Sequence, residues 1–275
     1  MTDNIQPKIS IVVVSLDNPE YFNLLMLGLA QNTKSPFEVL LHVNVPYRVT
    51  EWEEVIARWT QYGTLTYVTR SERNLGPFCP ANDLFKQAKG EYFVFMDDDM
   101  YPAPGWDIAI LKKVNPNIKC QYLSPILFQP IDAADTDADK AYNTKSFGKD
   151  IESFDPEVFK AQWKDVRNIV EDTQGICGDF FMKASLWYEL GGYDPLFYGK
   201  GGDLDLKAKV WHLGMVKYGG VFEFYAVADS CLYHFAHIRN NKVGFEPGAP
   251  FMDIYVEKWG MTPGEFWQKA VDNGS

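Results

Sequence analysis

"YFVFMDDDMYPAPGW" (92–106) passes from five apolar residues directly into three consecutive aspartates. The apolar run is short and continuous, as a strand buried on both faces requires. Three like charges at the end of such a strand call for a counter-charge. If the backbone stays extended, Asp97 and Asp99 point to the same side. Two carboxylates from one short turn suit Mg²⁺ or Mn²⁺, which complete their shells with water and ligand phosphates. A solvated acidic turn would use the same residues; the apolar strand before them weighs toward a site.

Working outward, the flanking segments alternate. "KISIVVVS" (8–15) reads as a buried strand, and Asp17, Asn18 and Pro19 mark a turn and helix start. Residues 20–31 have helical spacing, with Phe22, Leu25, Met26 and Leu29 on one face. "FEVLLHVNV" (37–45) is a second strand and residues 50–62 a second helix, with Thr50 and Glu53 spaced as a capping box. "TLTYVTR" (64–70) is a third strand, a helix follows over 80–88, and 92–96 is the fourth strand. Four strand–helix alternations with short connections predict an open, mostly parallel α/β sheet flanked by helices. In such sheets ligands sit beyond the carboxyl ends of the strands, where Asp97–Asp99 lie.

Beyond residue 110 the pattern loosens. "CQYLSPILF" (120–128) reads as a strand, and the polar stretch 132–155 as a long surface loop. Asp155 and Pro156 start a short helix, and Thr262, Pro263 and Glu265 start a last one over 262–271. The expected division is 1–240 (halves 1–110 and 111–240) and a C-terminal extension, 241–275.

The formal charge of −11 argues against a general polyphosphate-coating protein. Cys79, Cys120, Cys177 and Cys231 form no C-x-x-C pair, so packed, reduced thiols are expected. Neither a signal peptide nor an apolar run long enough to span a membrane is evident, which makes a cytoplasmic location the expectation.

"RNLGPFCPANDLFKQAKGEYFVFMDDDM" (73–100) resembles the central block of the family 2 glycosyltransferases. Asn74, Gly76, Asn82, Gly90, Glu91, Tyr92, Asp97 and Asp99 fall in register with it. "GICGDFFMKASLWYELGGYDPLFYGKGGDLDLKAKVWHLG" (175–214) resembles the second block, and the likeness runs over about residues 8–235. It implies a GT-A, Rossmann-like fold with a smaller acceptor-side sheet, and transfer of a sugar from a nucleotide-diphosphate donor, a UDP-sugar by preference, generally with inversion. It implies that Asp97 and Asp99 hold Mn²⁺ or Mg²⁺ and that Asp98 lies near the donor ribose or sugar. His234, with His237 as second choice, would complete the metal site or contact the diphosphate. Asp203 of "GGDLDL" (201–206) would be the general base, and Asp205 a supporting acid or a helix cap. A cap is also the simpler reading of Asp203.

Donor contacts are expected from Ser15, Asp17, Asn44 and Asn74. The chain departs from the pattern here: Val14 to Asp17 replace the usual Pro-Thr-Tyr-Asn, Val43 and Asn44 the usual Asp pair, Ala81 an Arg, and Gly202 an acid. The aromatics Trp187, Tyr188, Tyr193 and Tyr198 are candidates for an acceptor platform or for core, and the Gly-rich 192–202 segment for a lid. The acceptor stays open among glycan, protein, small molecule and modified DNA base. For a phage-type DNA glycosyltransferase, Lys145, Lys149, Lys160, Lys164, Arg167, Arg239 and Lys242 would form a basic strip. A non-catalytic sugar-nucleotide or glycan-binding protein is the alternative outside enzymes.

Overall fold

The computed structural model describes residues 6–131, 142–174, 179–235 and 251–273. Cys177, His237, Arg239, Lys242 and the first part of the polar 132–155 stretch lie outside the described residues. Strand β1 (Ile9–Leu16), helix α1 (Pro19–Asn32), β2 (Phe37–Asn44), α2 (Val49–Gln61), β3 (Leu65–Ser71), α3 (Phe78–Phe85) and β4 (Tyr92–Phe95) follow in the expected alternation. Next come β5 (Met100–Pro102), α4 (Trp106–Lys113), β6 (Cys120–Phe128), α5 (Pro156–Gln162), β7 (Thr173–Gln174), β8 (Phe180–Lys183) and α6 (Ala184–Leu190). The order ends with α7 (Gly202–Lys217), β9 (Phe222–His234), α8 (Phe251–Trp259) and α9 (Pro263–Asn273).

Among the described residues the strands form one sheet in the order β3-β2-β1-β4-β8-β6-β9-β5, with β7 on β9. The pairs β3–β2, β2–β1 and β1–β4 are parallel. Strand β8 runs antiparallel to β4 and β6, and β5 antiparallel to β9. The acceptor-side strands continue the main sheet through β9 instead of standing apart from it. The chain grows from β1 outward to β3 and then returns to place β4 on the other side. The order reverses between β1 and β4, which is where a crevice opens in such sheets.

Both faces are covered, which is why β1 is apolar apart from Ser10 and Ser15. Ile9, Ile11 and Val13 pack under α1, α2 and α4 with Phe22, Trp52 and Trp106. Val12 and Val14 face the other way, into a core built from α3, α6 and α7 that includes Tyr255, Phe266 and Ala270 of α8 and α9. A third, aromatic cluster gathers Tyr101, Phe128, Phe147, Phe154, Phe159 and Tyr233.

Some local expectations change. Helix α2 starts at Val49 with Arg48 at its cap position and no side-chain cap, so Thr50 and Glu53 form no capping box. The Asp17 carboxylate does that work from a distance, accepting from the Arg48 N–H and from Trp52 Nε1. Residues 142–155 are not a loose surface loop: Phe147 and Phe154 are buried, and Asn143 bonds both the N–H and the carbonyl of Gln129. The other two starts hold. Asp155 accepts from the Glu157 and Val158 amides, and Thr262 and Glu265 cap reciprocally.

The C-terminal helices are locked by a buried acid. Asp205 is fully buried, and its Oδ1 accepts from Lys258 Nζ at 2.8 Å and from Trp259 Nε1 at 2.9 Å. Lys258 also reaches Asp194 at 2.6 Å. Removing one partner of such a buried pair strands the other, a cost of about 3–5 kcal/mol. Chemical denaturation of Asp205→Ala is therefore expected to show a loss of about 3 kcal/mol. Asp203→Ala, whose carboxylate is partly exposed although its partner Lys207 is buried, is expected to lose less than Asp205→Ala.

Candidate metal and donor site

The chain leaves β4 at Phe95, turns through Asp97–Asp99 and extends again as β5. Strand β5 pairs antiparallel with the end of β9, setting Met100 opposite His234. The Phe235 N–H also donates to the Asp99 carbonyl at 3.1 Å. This pairing delivers the imidazole to the aspartate turn: His234 Nε2 lies 3.4 Å from Asp99 Oδ1. One ligand atom each from Asp97, Asp99 and His234 lies within 4.8 Å of the others, an O, O, N set that suits a divalent cation. Burial alone would lower the His234 pKa, but Asp99 foremost, then Asp97 and Asp179, outweigh it and push it up to about 9. His234 Nδ1 is buried without a hydrogen-bond partner among the described residues.

Asp98 turns the other way. It is buried, and the Ser15 hydroxyl donates to its Oδ2, tying the end of β1 to the aspartate turn across the point where strand order reverses. Asp17 and Val45, at the ends of β1 and β2, hold φ values of 53° and 50°. A β-branched residue at positive φ is a strained position of the kind that gathers at ligand sites.

Asn44 is buried and its amide is engaged by the protein. It donates to the Gly76 carbonyl at 3.1 Å and accepts from the Leu75 N–H at 2.9 Å. Asn74 accepts from the Gly76 N–H at 2.9 Å, closing a turn of its own. Both side chains therefore shape the 71–76 loop.

Asp203 stands in the first turn of α7. The cap position is Gly201, at φ 81°, and there is no side-chain cap, so Asp203 is not the helix cap. Its Oδ2 lies 3.3 Å from Lys207 Nζ. Buried Tyr193 lies near both Asp203 and the aspartate turn. Its pKa is raised well above the usual range, first by burial, then by the charges of Tyr122, Asp203, Asp179 and Asp97. Trp187 and Tyr193 are core, whereas Tyr188 and Tyr198 are exposed. The Gly-rich segment is docked: the Tyr198 hydroxyl donates to the Asn74 carbonyl, and Asn82 bonds both the N–H and the carbonyl of Tyr193.

Sequence reasoning missed Asp179. It is 2% exposed, and its pKa lies well above the carboxylate range, through burial first and then the charge of Asp97. Its signal was an acid wedged between Gly178 and the apolar Phe180 and Phe181, with no turn or cap to explain it. The expected basic strip is partly neutralised, with Arg167 on Asp229 and Lys160 on Glu157. Lys164 instead joins Lys34, Lys112 and Lys113 along a surface groove of about 460 Å³.

Residues 10–122 match the family model of glycosyl transferase family 2. No curated protein matches the chain by sequence. Among solved structures, the chain is similar to GalNAc-T7 with UDP, GalNAc and Mn²⁺. The TM-score is 0.59 and the identity 17%, over 84% of this chain and 44% of that one. It is also similar to S. aureus TarS 1–349, at TM-score 0.53 and 16% identity, over 82% and 60% of the two chains. TarS 1–349 in complex with UDP gives 0.54 and 15% over the same shares. The chain thus spans between 44% and 60% of the length of these structures. The fold is GT-A, the fold of these glycosyltransferase structures. No helix among the described residues is long and apolar enough to cross a membrane.

Gly76 and Gly63 both hold positive φ, at 67° and 73°. A Cβ on Gly76 would overlap the Tyr198 carbonyl oxygen, whereas one on Gly63 would meet nothing within 4 Å. Gly63→Ala is expected to cost about 1–2 kcal/mol, the left-handed penalty alone. Gly76→Ala is expected to cost clearly more and to undock the 192–202 segment, read as faster proteolysis there.

Proposed function

We propose that the protein transfers a sugar from a nucleotide-diphosphate donor, a UDP-sugar by preference, to an acceptor hydroxyl with inversion. The observation that carries this reading is the Asp97–Asp99–His234 cluster at the carboxyl edge of a family 2 sheet. The donor set fits a divalent cation in chemistry and spacing, and buried His234 Nδ1 and Asp179 Oδ2 lack hydrogen-bond partners among the described residues. The UDP and Mn²⁺ of the similar GalNAc-T7 structure agree with this assignment. When bound, such an ion supplies Lewis-acid stabilisation of the departing diphosphate.

The chain's own residues do the rest. The acceptor oxygen bonds to the anomeric carbon as the bond from that carbon to the diphosphate breaks, and the bonding pair leaves with the diphosphate. The acceptor proton passes to Asp203, the partly exposed carboxylate in the first turn of α7. Lys207 at 3.3 Å steadies that carboxylate. Ser15 holds Asp98 in the floor, while Asp17 and the 71–76 loop shaped by Asn44 and Asn74 border the donor side.

A panel of nucleotide sugars, screened by thermal shift and nucleotide release with and without Mn²⁺, tests the donor class. With the active donor, Asp203→Asn is expected to lower kcat by about 10²–10⁴-fold, the range of a general base, with donor affinity unchanged. Unchanged turnover in Asp203→Asn would remove it as the base.

A further inference from the structure

Asp179 is the acid that the proposed chemistry leaves unused. It immediately precedes β8, which runs antiparallel to β4 with Phe180 opposite Phe95. That register carries Asp179 to the place where β4 gives way to Met96 and Asp97. The Asp179 carboxylate accepts from the Asp97 N–H, so it touches the backbone of the aspartate turn. It is 2% exposed, and its Oδ2 has no hydrogen-bond partner among the described residues. The charged groups facing it are Asp97, His234 and Asp99.

A buried carboxylate with an unsatisfied oxygen, beside two other carboxylates and one imidazole, is a cost in the metal-free protein. An amide of the same shape would remove most of it. The arrangement becomes favourable when a dication sits among Asp97, Asp99 and His234, because charges close by in a low-dielectric wall interact strongly. Groups that contact metal ligands from behind orient those ligands and raise affinity. Asp179 falls outside the set whose ligand atoms all lie within 4.8 Å, and it holds the backbone of one member.

We propose that Asp179 is a positioning residue of the cation site: it fixes the Asp97 turn from behind and thereby strengthens divalent-cation binding. The proposal rests on reading Asp97, Asp99 and His234 as that site.

The test is a Mn²⁺ titration of the full chain, with free Mn²⁺ read by electron paramagnetic resonance and no nucleotide sugar present. The wild type is compared with Asp99→Asn, Asp179→Asn and, as a control for lost charge at an exposed site, Asp229→Asn. Wild type and Asp229→Asn are expected to bind alike, Asp99→Asn not to bind, and Asp179→Asn to bind about 10–100-fold more weakly. Without metal, Asp179→Asn is expected to melt no lower than wild type. Asp179→Asn binding as wild type while Asp99→Asn fails would overturn the role of Asp179 and leave the three-residue site standing. A metal-free melting temperature well below wild type would make Asp179 a structural residue and overturn the role too. Wild type that binds no Mn²⁺ would overturn both readings.

Discussion

The short antiparallel pairing of β5 with the end of β9 is the constraint on which the site depends. Met100 opposite His234, and the Phe235 N–H on the Asp99 carbonyl, fold the aspartate turn back against the last strand. Without that pairing the three aspartates would project from β4 as a solvated acidic turn, and His234 would have no reason to lie 3.4 Å from Asp99. The pairing is held from behind by aromatic packing. Tyr101 and Tyr233, opposite each other in the two strands, sit with Phe154 and Phe159 in one buried cluster. Aromatic burial thus offsets the cost of gathering like charges at the sheet edge.

A second set of contacts fastens the 192–202 segment and α7 to their neighbours. The 192–202 segment is docked on the 74–76 loop through Tyr198 and on α3 through Asn82. Helix α7, which carries Asp203, is anchored two residues on by the buried Asp205 network to α8. The candidate base therefore stands on a helix whose neighbouring acid is immobilised, while its own carboxylate stays partly exposed. One acid of the pair serves packing, and the other stays partly exposed.

Much of this was legible in the sequence, for physical reasons. Strands β1, β2 and β4 are buried on both faces, so they are predominantly apolar and announce themselves. The block around Asn74 and Asp97 carried the likeness to the family model, and the strand–helix alternation carried the fold. What stayed hidden depends on long-range pairing. Asp17 caps α2 from another loop, which no local pattern near Thr50 could reveal. Phe147 and Phe154 are isolated aromatics in a polar stretch, and only the cluster around Tyr233 explains them. Asp179 reaches the aspartate turn solely through the β4–β8 register. Asn44 and Asn74 were visible as polar residues at strand ends, but their engagement with Gly76 was not.

The central claim is that the Asp97–Asp99–His234 cluster holds a divalent cation that in turn holds a nucleoside diphosphate. Calorimetric titration of UDP into the protein, with and without saturating Mn²⁺, addresses it most directly. The account expects UDP to bind at least about tenfold more tightly with Mn²⁺, a coupling of about 1.4 kcal/mol, and expects that gain to vanish in His234→Ala. Equal UDP affinity with and without the metal, or a gain that survives in His234→Ala, would contradict it.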